Sequence, residues 1–196
     1  MANYFVHESS FIDSGAIIGE KTKIWHFSHV SARSIIGKNC SLGQNVFVAN
    51  NVEIGNFVKI QNNVSIYEGV ILEDYVFCGP SMVFTNVKVP RCAYPQNTSK
   101  DYLVTKISYG ASIGANATIV CGVKVGKWSF IGAGALVTKH VKNYALMTGL
   151  PAKQVAWICE CGEKLDFITE EEKRISCITC GKNYKIKESN LVLIEN

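Results

Sequence analysis

The sequence predicts an all-β chain wound into a parallel β-helix, and three features predict it. Apolar residues recur every six positions, a small or β-branched residue precedes each by two, and glycine often follows directly. Stepping from Ile12, the rungs are Ile18, Ile24, Val30, Ile36, Leu42, Val48, Ile54, Ile60, Ile66, Leu72, Cys78 and Phe84, with Gly at 19, 37, 43, 55 and 79. A helix cannot use this spacing, because six residues of about 100° each swing the face by about 240°. A strand can, because an even step keeps side chains on one face. The residues two before the rungs, from Ala16 through Thr22, Ser28, Ser34 and Cys40 to Val76, then also point inward, with a polar residue between pointing out. Each coil buries its apolar side only against its neighbours. The ladder stops after Phe84 and resumes at Ile107, Ile113, Ile119, Val125, Ile131 and Val137.

The bulk properties narrow the classes of function. A chain of 196 residues with 47% apolar content holds one medium domain and a small appendage. No apolar run approaches the roughly 18 residues of a membrane span, and MANYFVHESSF reads as no secretory signal, so a cytoplasmic chain off the membrane is expected. A net charge of +4 suits anionic small molecules and falls short of a nucleic-acid footprint. Eight cysteines without a signal peptide argue against a disulfide scaffold.

The hexads resemble those of the hexapeptide-repeat acyltransferases over most of residues 10 to 156. The resemblance implies a left-handed triangular prism with about 18 residues per coil; the period alone implies only a β-solenoid. VFVANNVEIG, IQNNVSIYEGV, FCGPSMVFTN, SIGANATIVCG and GLPAKQ look closest to the branch that N-acetylates nucleotide-linked amino sugars, in particular UDP-2-acetamido-3-amino-2,3-dideoxyglucuronate, for bacterial surface polysaccharide such as O-antigen. A dTDP-linked 3-amino-6-deoxyhexose is the alternative acceptor. The resemblance also implies acetyl-CoA as donor, a homotrimer with sites between subunits, and Asn86 touching the reacting amine.

With 18 residues per coil, the pairs after each rung stack in corner columns about 4.8 Å apart. One column, Gly19-Glu20 to Glu73-Asp74, reads as a solvated edge. Another holds Trp25-His26, Gly43-Gln44, Gln61-Asn62 and Gly79-Pro80, and the third stacks Asn50, Glu68 with Tyr67, and Asn86. Asn50, Asn56 and Asn62 are expected to fill left-handed corners, where Asn is favoured. His26, Gln61, Asn62, Tyr67, Glu68 and Arg91 are the candidate substrate-binding residues. Arg91 suits a carboxylate or pyrophosphate because a guanidinium grips such groups with two prongs, although a loop salt bridge would use it equally. It lies in an insertion of about 22 residues, from Thr85 to Lys106, and long loops on a compact repeat are usually functional.

Acetyl transfer needs a neutral amine, a held carbonyl and a destination for a proton. A sugar amine titrates well below Lys, so positioning and oxyanion donors supply most of the acceleration. The resemblance gives the proton to the departing thiolate of coenzyme A; His26 is the protein base that competes with it. His7 and His140 are expected at the surface, and His29 in an outward slot. For coenzyme A the resemblance points to backbone near Ala115 and Ala133 in the Gly- and Ala-rich upper ladder, with Lys139 or Lys153 for the phosphates. A γ-carbonic-anhydrase-like enzyme needs three converging histidines, of which the ladder offers only His26 and His29. A non-catalytic scaffold is the remaining rival.

After GLPAKQVAW the character changes, dividing the chain into a domain of residues 1 to 156 and a tail of 157 to 196. Cys159, Cys161, Cys177 and Cys180, with glycines after the second and fourth, resemble a zinc ribbon with a closed site of four thiolates. Cysteines that pair only on oxidation are the other reading. EEEKR is mixed in charge, which gives the tail no nucleic-acid footprint. Cys40 and Cys78 take inward slots, Cys121 a corner and Cys92 the loop.

Overall fold

The computed structural model describes residues 3–96, 98–165 and 174–194, so most of EEEKR lies outside the described residues. Parallel strands of two or three residues stack into three sheets, the faces of the β-helix. Face one runs from Phe5–Val6 through Lys23–Ile24, Ser41–Leu42, Lys59–Ile60, Phe77–Cys78 and Ser112–Ile113 to Phe130–Ile131. Face two begins at Phe11–Ile12 and ends at Leu136–Val137, and face three begins at Ile17–Ile18 and ends at Lys124–Val125. Paired residues lie 18 apart, as in Lys23↔Ser41 and Ser41↔Lys59, which is the expected coil length.

The core follows the two inward positions of each hexad. Ile24, Val30, Leu42, Val48, Ile66, Cys78, Ile107, Ile113 and Ile119 are wholly buried, and so are Val52, Val58 and Val64 from the positions two before rungs. Burying one such aliphatic side chain contributes about 1.5–3 kcal/mol. The hydroxyls among these positions find partners: Thr22 donates to the Gly37 carbonyl at 2.8 Å and accepts the Cys40 N–H at 3.0 Å. The outward positions are less polar than expected, for Phe11, Ile17, Ile35 and Val83 stand exposed there.

Three expectations change. The ladder starts one hexad earlier, because Phe5–Val6 pairs with Lys23–Ile24; a single strand pair ahead of Ile12 was too short to stand out. The left-handed corner residue is the third after each rung, not the second. Positive φ recurs at Gly15, Lys21, Phe27, Arg33, Asn39, Asn45, Asn51, Phe57, Asn63, Gly69, Tyr75 and Ser81, and again at Gly110, Asn116, Gly122, Trp128 and Gly134. Asn50, Asn56 and Asn62 therefore do not fill those slots; Asn56 and Asn62 instead accept the Lys38 and Gln44 N–H groups of the coil below at 2.9 Å. Finally, the excursion is shorter than expected. Across it the register is 35 (Phe77↔Ser112) instead of 18 (Lys59↔Phe77), an excess of 17 residues, and the strand Thr105–Ile107 takes back Lys106.

The last coil is two residues short, pairing Phe130 with Leu146. The strand Ala145–Thr148 is followed by the antiparallel strands Lys153–Ile158 and Lys164–Leu165, which extend face one. This extension crosses the expected division at residue 156. A separate antiparallel sheet of Arg174–Ser176, Asn183–Lys187 and Asn190–Ile194 completes the described chain.

Candidate active site

Most of the candidate residues lie at two corners on either side of face two; Arg91 lies in the excursion and Lys153 on a later strand. The corner after face one carries a groove of about 370 Å³ lined by Trp25, His26, Gly43, Gln44, Gln61 and Asn62. This brings His26, Gln61 and Asn62 together. The His26 ring stacks on His7, with centroids 3.6 Å apart, and His7 Nδ1 lies 2.9 Å from Ser9 Oγ. His7 is thus part of this corner, on the coil that the sequence reading missed. A Cβ at Gly43 would come within 2.4 Å of Asn62 Oδ1, so the amide that caps the Gln44 N–H requires glycine there.

Higher on the same corner stand Pro80, Ala115 and Ala133. A Cβ at Gly79 would lie 2.7 Å from the Ala115 nitrogen, and one at Gly114 would lie 2.5 Å from that of Ala133. Glycine here lets successive coils approach through bare backbone. Among the described residues, the N–H groups of Ala115 and Ala133 have no acceptor, unlike those of Lys38 and Gln44.

The corner after face two carries Tyr67, Glu68 and Asn86. Asn86 is half-buried, and its side-chain amide makes no hydrogen bond among the described residues. Its carbonyl accepts the Leu103 N–H at 3.1 Å, which ties the two ends of the excursion together. One residue earlier, Thr85 Oγ1 accepts the Cys121 N–H at 2.9 Å. Asn86 is therefore held by its backbone, with its side chain left for other work.

Glu68 is engaged instead. Its Oε1 accepts from Ser99 Oγ at 2.6 Å and from Asn51 Nδ2 at 3.0 Å, while Arg33 Nε donates to Asn51 Oδ1 at 3.0 Å. The Ser99 hydroxyl first, then the Asn51 amide, holds the carboxyl below its ordinary range. Glu68 thus anchors the excursion to the corner, beside a cleft of about 240 Å³ lined by Asn51, Glu53, Ser99, Tyr102 and Val104. The backbone also closes here: Thr105 N–H donates to the Gly69 carbonyl at 2.8 Å. Tyr67 meets Phe47 edge-on at 6.3 Å. Arg91 is exposed, and it forms no ion pair among the described residues.

Lys139 is exposed on the Asn86 corner two coils further on, and Lys153 is exposed on the strand that opens the extension of face one. Within one chain, face two separates the His26 groove from Asn86. Asn51 and Ser99 went unnoticed in the sequence, and His7 was expected at the surface instead of stacked on His26. Asn51 had a signal in the six-residue recurrence of corner residues, whereas Ser99 meets Glu68 only through the path of the excursion.

His29 Nε2 lies 3.0 Å from Asp13 Oδ1, and His140 Nδ1 accepts the Lys124 N–H at 2.9 Å. Cys40 and Cys78 face inward, and burial pushes the Cys78 thiol up to about 12. Cys121 is buried on its corner and Cys92 is exposed in the excursion. Among the described residues, the one group of His, Cys, Asp or Glu side chains close enough to share a metal is Cys159, Cys161, Cys177 and Cys180, with all Sγ atoms within 4.8 Å of one another.

Comparison with known proteins agrees with this architecture. Residues 6–50 match the bacterial transferase hexapeptide (six repeats) family, and residues 34–68 and 107–139 match the hexapeptide repeat of succinyl-transferase. The gap in the second match spans the excursion. The dTDP-3-amino-3,6-dideoxy-alpha-D-galactopyranose 3-N-acetyltransferase of Aneurinibacillus thermoaerophilus is 40% identical over 181 residues, covering 92% of this chain and 90% of that one. A hexapeptide transferase family protein from Anaplasma phagocytophilum shares the fold at a TM-score of 0.52 and 21% identity, covering 87% of both chains. The acetyltransferase domain of PglB from Neisseria gonorrhoeae FA1090, solved in complex with acetyl coenzyme A, gives 0.51 at 18% identity; the match covers 78% of this chain and 58% of that one. The chain belongs to the hexapeptide-repeat transferases, in which it is an acetyltransferase.

Proposed function

From membership of the hexapeptide-repeat transferases, we propose that the protein moves the acetyl group of acetyl-CoA to the 3-amino group of a dTDP-linked 3-amino-3,6-dideoxyhexose. The observation that carries this reading is the 40% identity, along nearly the whole chain, to an enzyme named for that acceptor. It displaces the UDP-linked uronate as the first choice. With a deoxy sugar there is no acceptor carboxylate, and Arg91 is left with the pyrophosphate as its anionic partner.

In this reading three copies associate so that the Asn86 corner of one faces the His26 corner of the next. Two features support it: the candidate residues are divided between two corners in a single chain, and apolar side chains such as Phe11, Ile17 and Ile35 stand exposed on the outer faces. Acetyl-CoA lies along the upper part of the His26 corner, where the Ala115 and Ala133 N–H groups are available to amide carbonyls of its pantetheine arm. Lys139 and Lys153 serve its phosphates.

The chemistry then asks little of acid–base groups. The sugar amine titrates well below Lys, and its neutral form is oriented by the Asn86 side chain. Its nitrogen attacks the thioester carbonyl, the C–S bond breaks, and the amine proton leaves with the sulfur as free coenzyme A. His26, stacked on His7, acts as a contact for nucleotide or for the neighbouring subunit. A cytoplasmic location follows from these substrates. The tail's four cysteines hold a structural metal ion outside this chemistry.

The test is a panel of dTDP- and UDP-linked amino sugars incubated with protein and acetyl-CoA while free thiol is followed. Release with the dTDP-linked 3-amino-3,6-dideoxyhexose is expected. Release only with a UDP-linked uronate would replace the acceptor, and no release with any amino sugar would overturn the reading.

A further inference from the structure

The tail contains two turns of the same design. In the first, the Cys159 N–H donates to the Glu163 carbonyl at 2.8 Å and the Gly162 N–H to the Cys159 carbonyl at 2.9 Å. In the second, the Cys177 N–H donates to the Lys182 carbonyl at 2.8 Å and the Gly181 N–H to the Cys177 carbonyl at 2.9 Å. Gly162 and Gly181 both have positive φ, at 94° and 73°. The first turn is one residue shorter, which accounts for its tighter C-x-C spacing. It closes the way its partner does.

The two turns set their cysteines against one another. Cys159 Sγ lies 3.4 Å from Cys180 Sγ, and Cys161 Sγ lies 3.5 Å from Cys177 Sγ. All four are free thiols. Ligands about 2.3 Å from a tetrahedral zinc ion stand about 3.8 Å apart, so these sulfurs need only small shifts to hold one. A set of four sulfurs in tetrahedral array selects zinc or iron over harder ions.

The two turns also belong to different sheets. Cys159 and Cys161 follow the strand Lys153–Ile158, which extends face one, whereas Cys177 and Cys180 sit in the separate sheet of residues 174–194. No strand pairing joins these two sheets among the described residues. Around the sulfurs the polar links are few: the buried Tyr184 hydroxyl lies 3.1 Å from Cys159 Sγ and accepts the Glu160 N–H at 3.2 Å, and Lys182 pairs with Glu160. Lys142 Nζ donates to the Ser189 carbonyl at 2.7 Å, and Thr179 Oγ1 to Glu163 Oε2 at 2.7 Å.

We propose that Cys159, Cys161, Cys177 and Cys180 bind one zinc ion that fastens the 174–194 sheet onto the C-terminal end of the β-helix, closing that end. This rests on the reading that the tail holds a metal, and adds what that metal joins. The closed end matters because a parallel stack otherwise finishes in an open edge of unpaired N–H and C=O groups. Here the last coil carries Tyr144, whose ring meets Tyr184 edge-on at 5.5 Å and whose hydroxyl donates to Glu160 Oε1 at 3.2 Å. With four protein ligands the ion has no open position, so its role is structural.

The experiment is metal analysis of the full chain purified without chelator, followed by amide exchange before and after the metal is removed with a mercurial and a chelator. About one zinc per chain is expected, falling to near zero in Cys161→Ser and Cys180→Ser and unchanged in Cys92→Ser. In protein shown to be stripped of metal, exchange across 174–194 should rise about tenfold or more while that of the coils from Phe5 to Ile66 stays as it was. Iron in place of zinc, or no metal with disulfides present, overturns the metal assignment itself. Zinc present with exchange of 174–194 unchanged by its removal leaves a metal-bound tail and overturns the fastening role. Since wild-type protein is stripped directly, the answer does not depend on the serine variants folding.

Discussion

The two corners that border face two are built from the same hexads, yet they differ in which groups they leave without partners. On the His26 corner, Asn62 of one coil caps the Gln44 N–H of the coil below, whereas higher up the N–H groups of Ala115 and Ala133 have no acceptor among the described residues. On the Asn86 corner the regular stack is broken, and an excursion is fastened back through Glu68, Ser99 and the Asn86 carbonyl. One corner offers unoccupied backbone along an unbroken stack; the other offers a single unoccupied side chain at a break in it. The difference teaches that a repeat can present function by leaving out a cap as well as by adding a loop.

The strongest way to break this contrast is at Asn86. Its side-chain amide makes no hydrogen bond among the described residues, and in the role proposed for it Asn86→Ala should lower turnover about 100-fold or more, the range for losing one positioned polar group, with the melting temperature nearly unchanged. Steady-state thiol release and thermal unfolding of the same sample decide it, and equal turnover would remove Asn86 from the site. The next effect belongs to the opposite corner. Pro80 already occupies the position equivalent to Ala133, so Ala133→Pro is compatible with the corner and removes only a donor. One hydrogen bond is worth about 0.5–1.5 kcal/mol, so KM for acetyl-CoA should rise up to about tenfold while kcat changes little. An unaltered KM would end the role given to that N–H.

Smaller effects sharpen the comparison on the structural side. Asn62→Ala uncovers the Gln44 N–H and should cost about 1 kcal/mol in denaturant unfolding. The least effect is the pH dependence of the excursion's anchor. Because Glu68 titrates below its ordinary value of 4.5, the stabilisation it gives is full above 4.5 and fades as pH falls through the lowered value. Proteolysis or exchange of residues 98–103 should therefore accelerate in acid, and Glu68→Gln should flatten that dependence.

How much of this was legible depended on whether the sequence repeats the feature. The inward rungs were legible because burial on one face imposes a strict period, which resumes in a new frame at Ile107, 23 residues after Phe84. The left-handed slots were misplaced by one residue because their occupants include Lys21, Phe27, Arg33, Phe57, Tyr75 and Trp128, which local propensity does not mark for positive φ. The coil forces that conformation on whatever residue falls there. Asn86 was singled out by a resemblance alone, and the four tail cysteines by a spacing whose sulfurs the fold brings within 4.8 Å of one another. The Glu68 anchor was not, since Ser99 is 31 residues away and only the folded excursion brings it near. Outward apolar residues were missed for a related reason: the rule of polar outer positions assumes that water covers every face.

The 17-residue excess of the excursion has a consequence for how such a chain changes over generations. Excise 17 residues between Asn86 and Val104, and Phe84 and Ile107 fall back to a spacing of six, with every later side chain still on its own face. Excise or duplicate 18 residues elsewhere, and the rod shortens or lengthens by one storey of about 4.8 Å. Reading frame and architecture are thus kept in separate ledgers: height is counted in coils, and new walls are let in at corners without disturbing the storeys above.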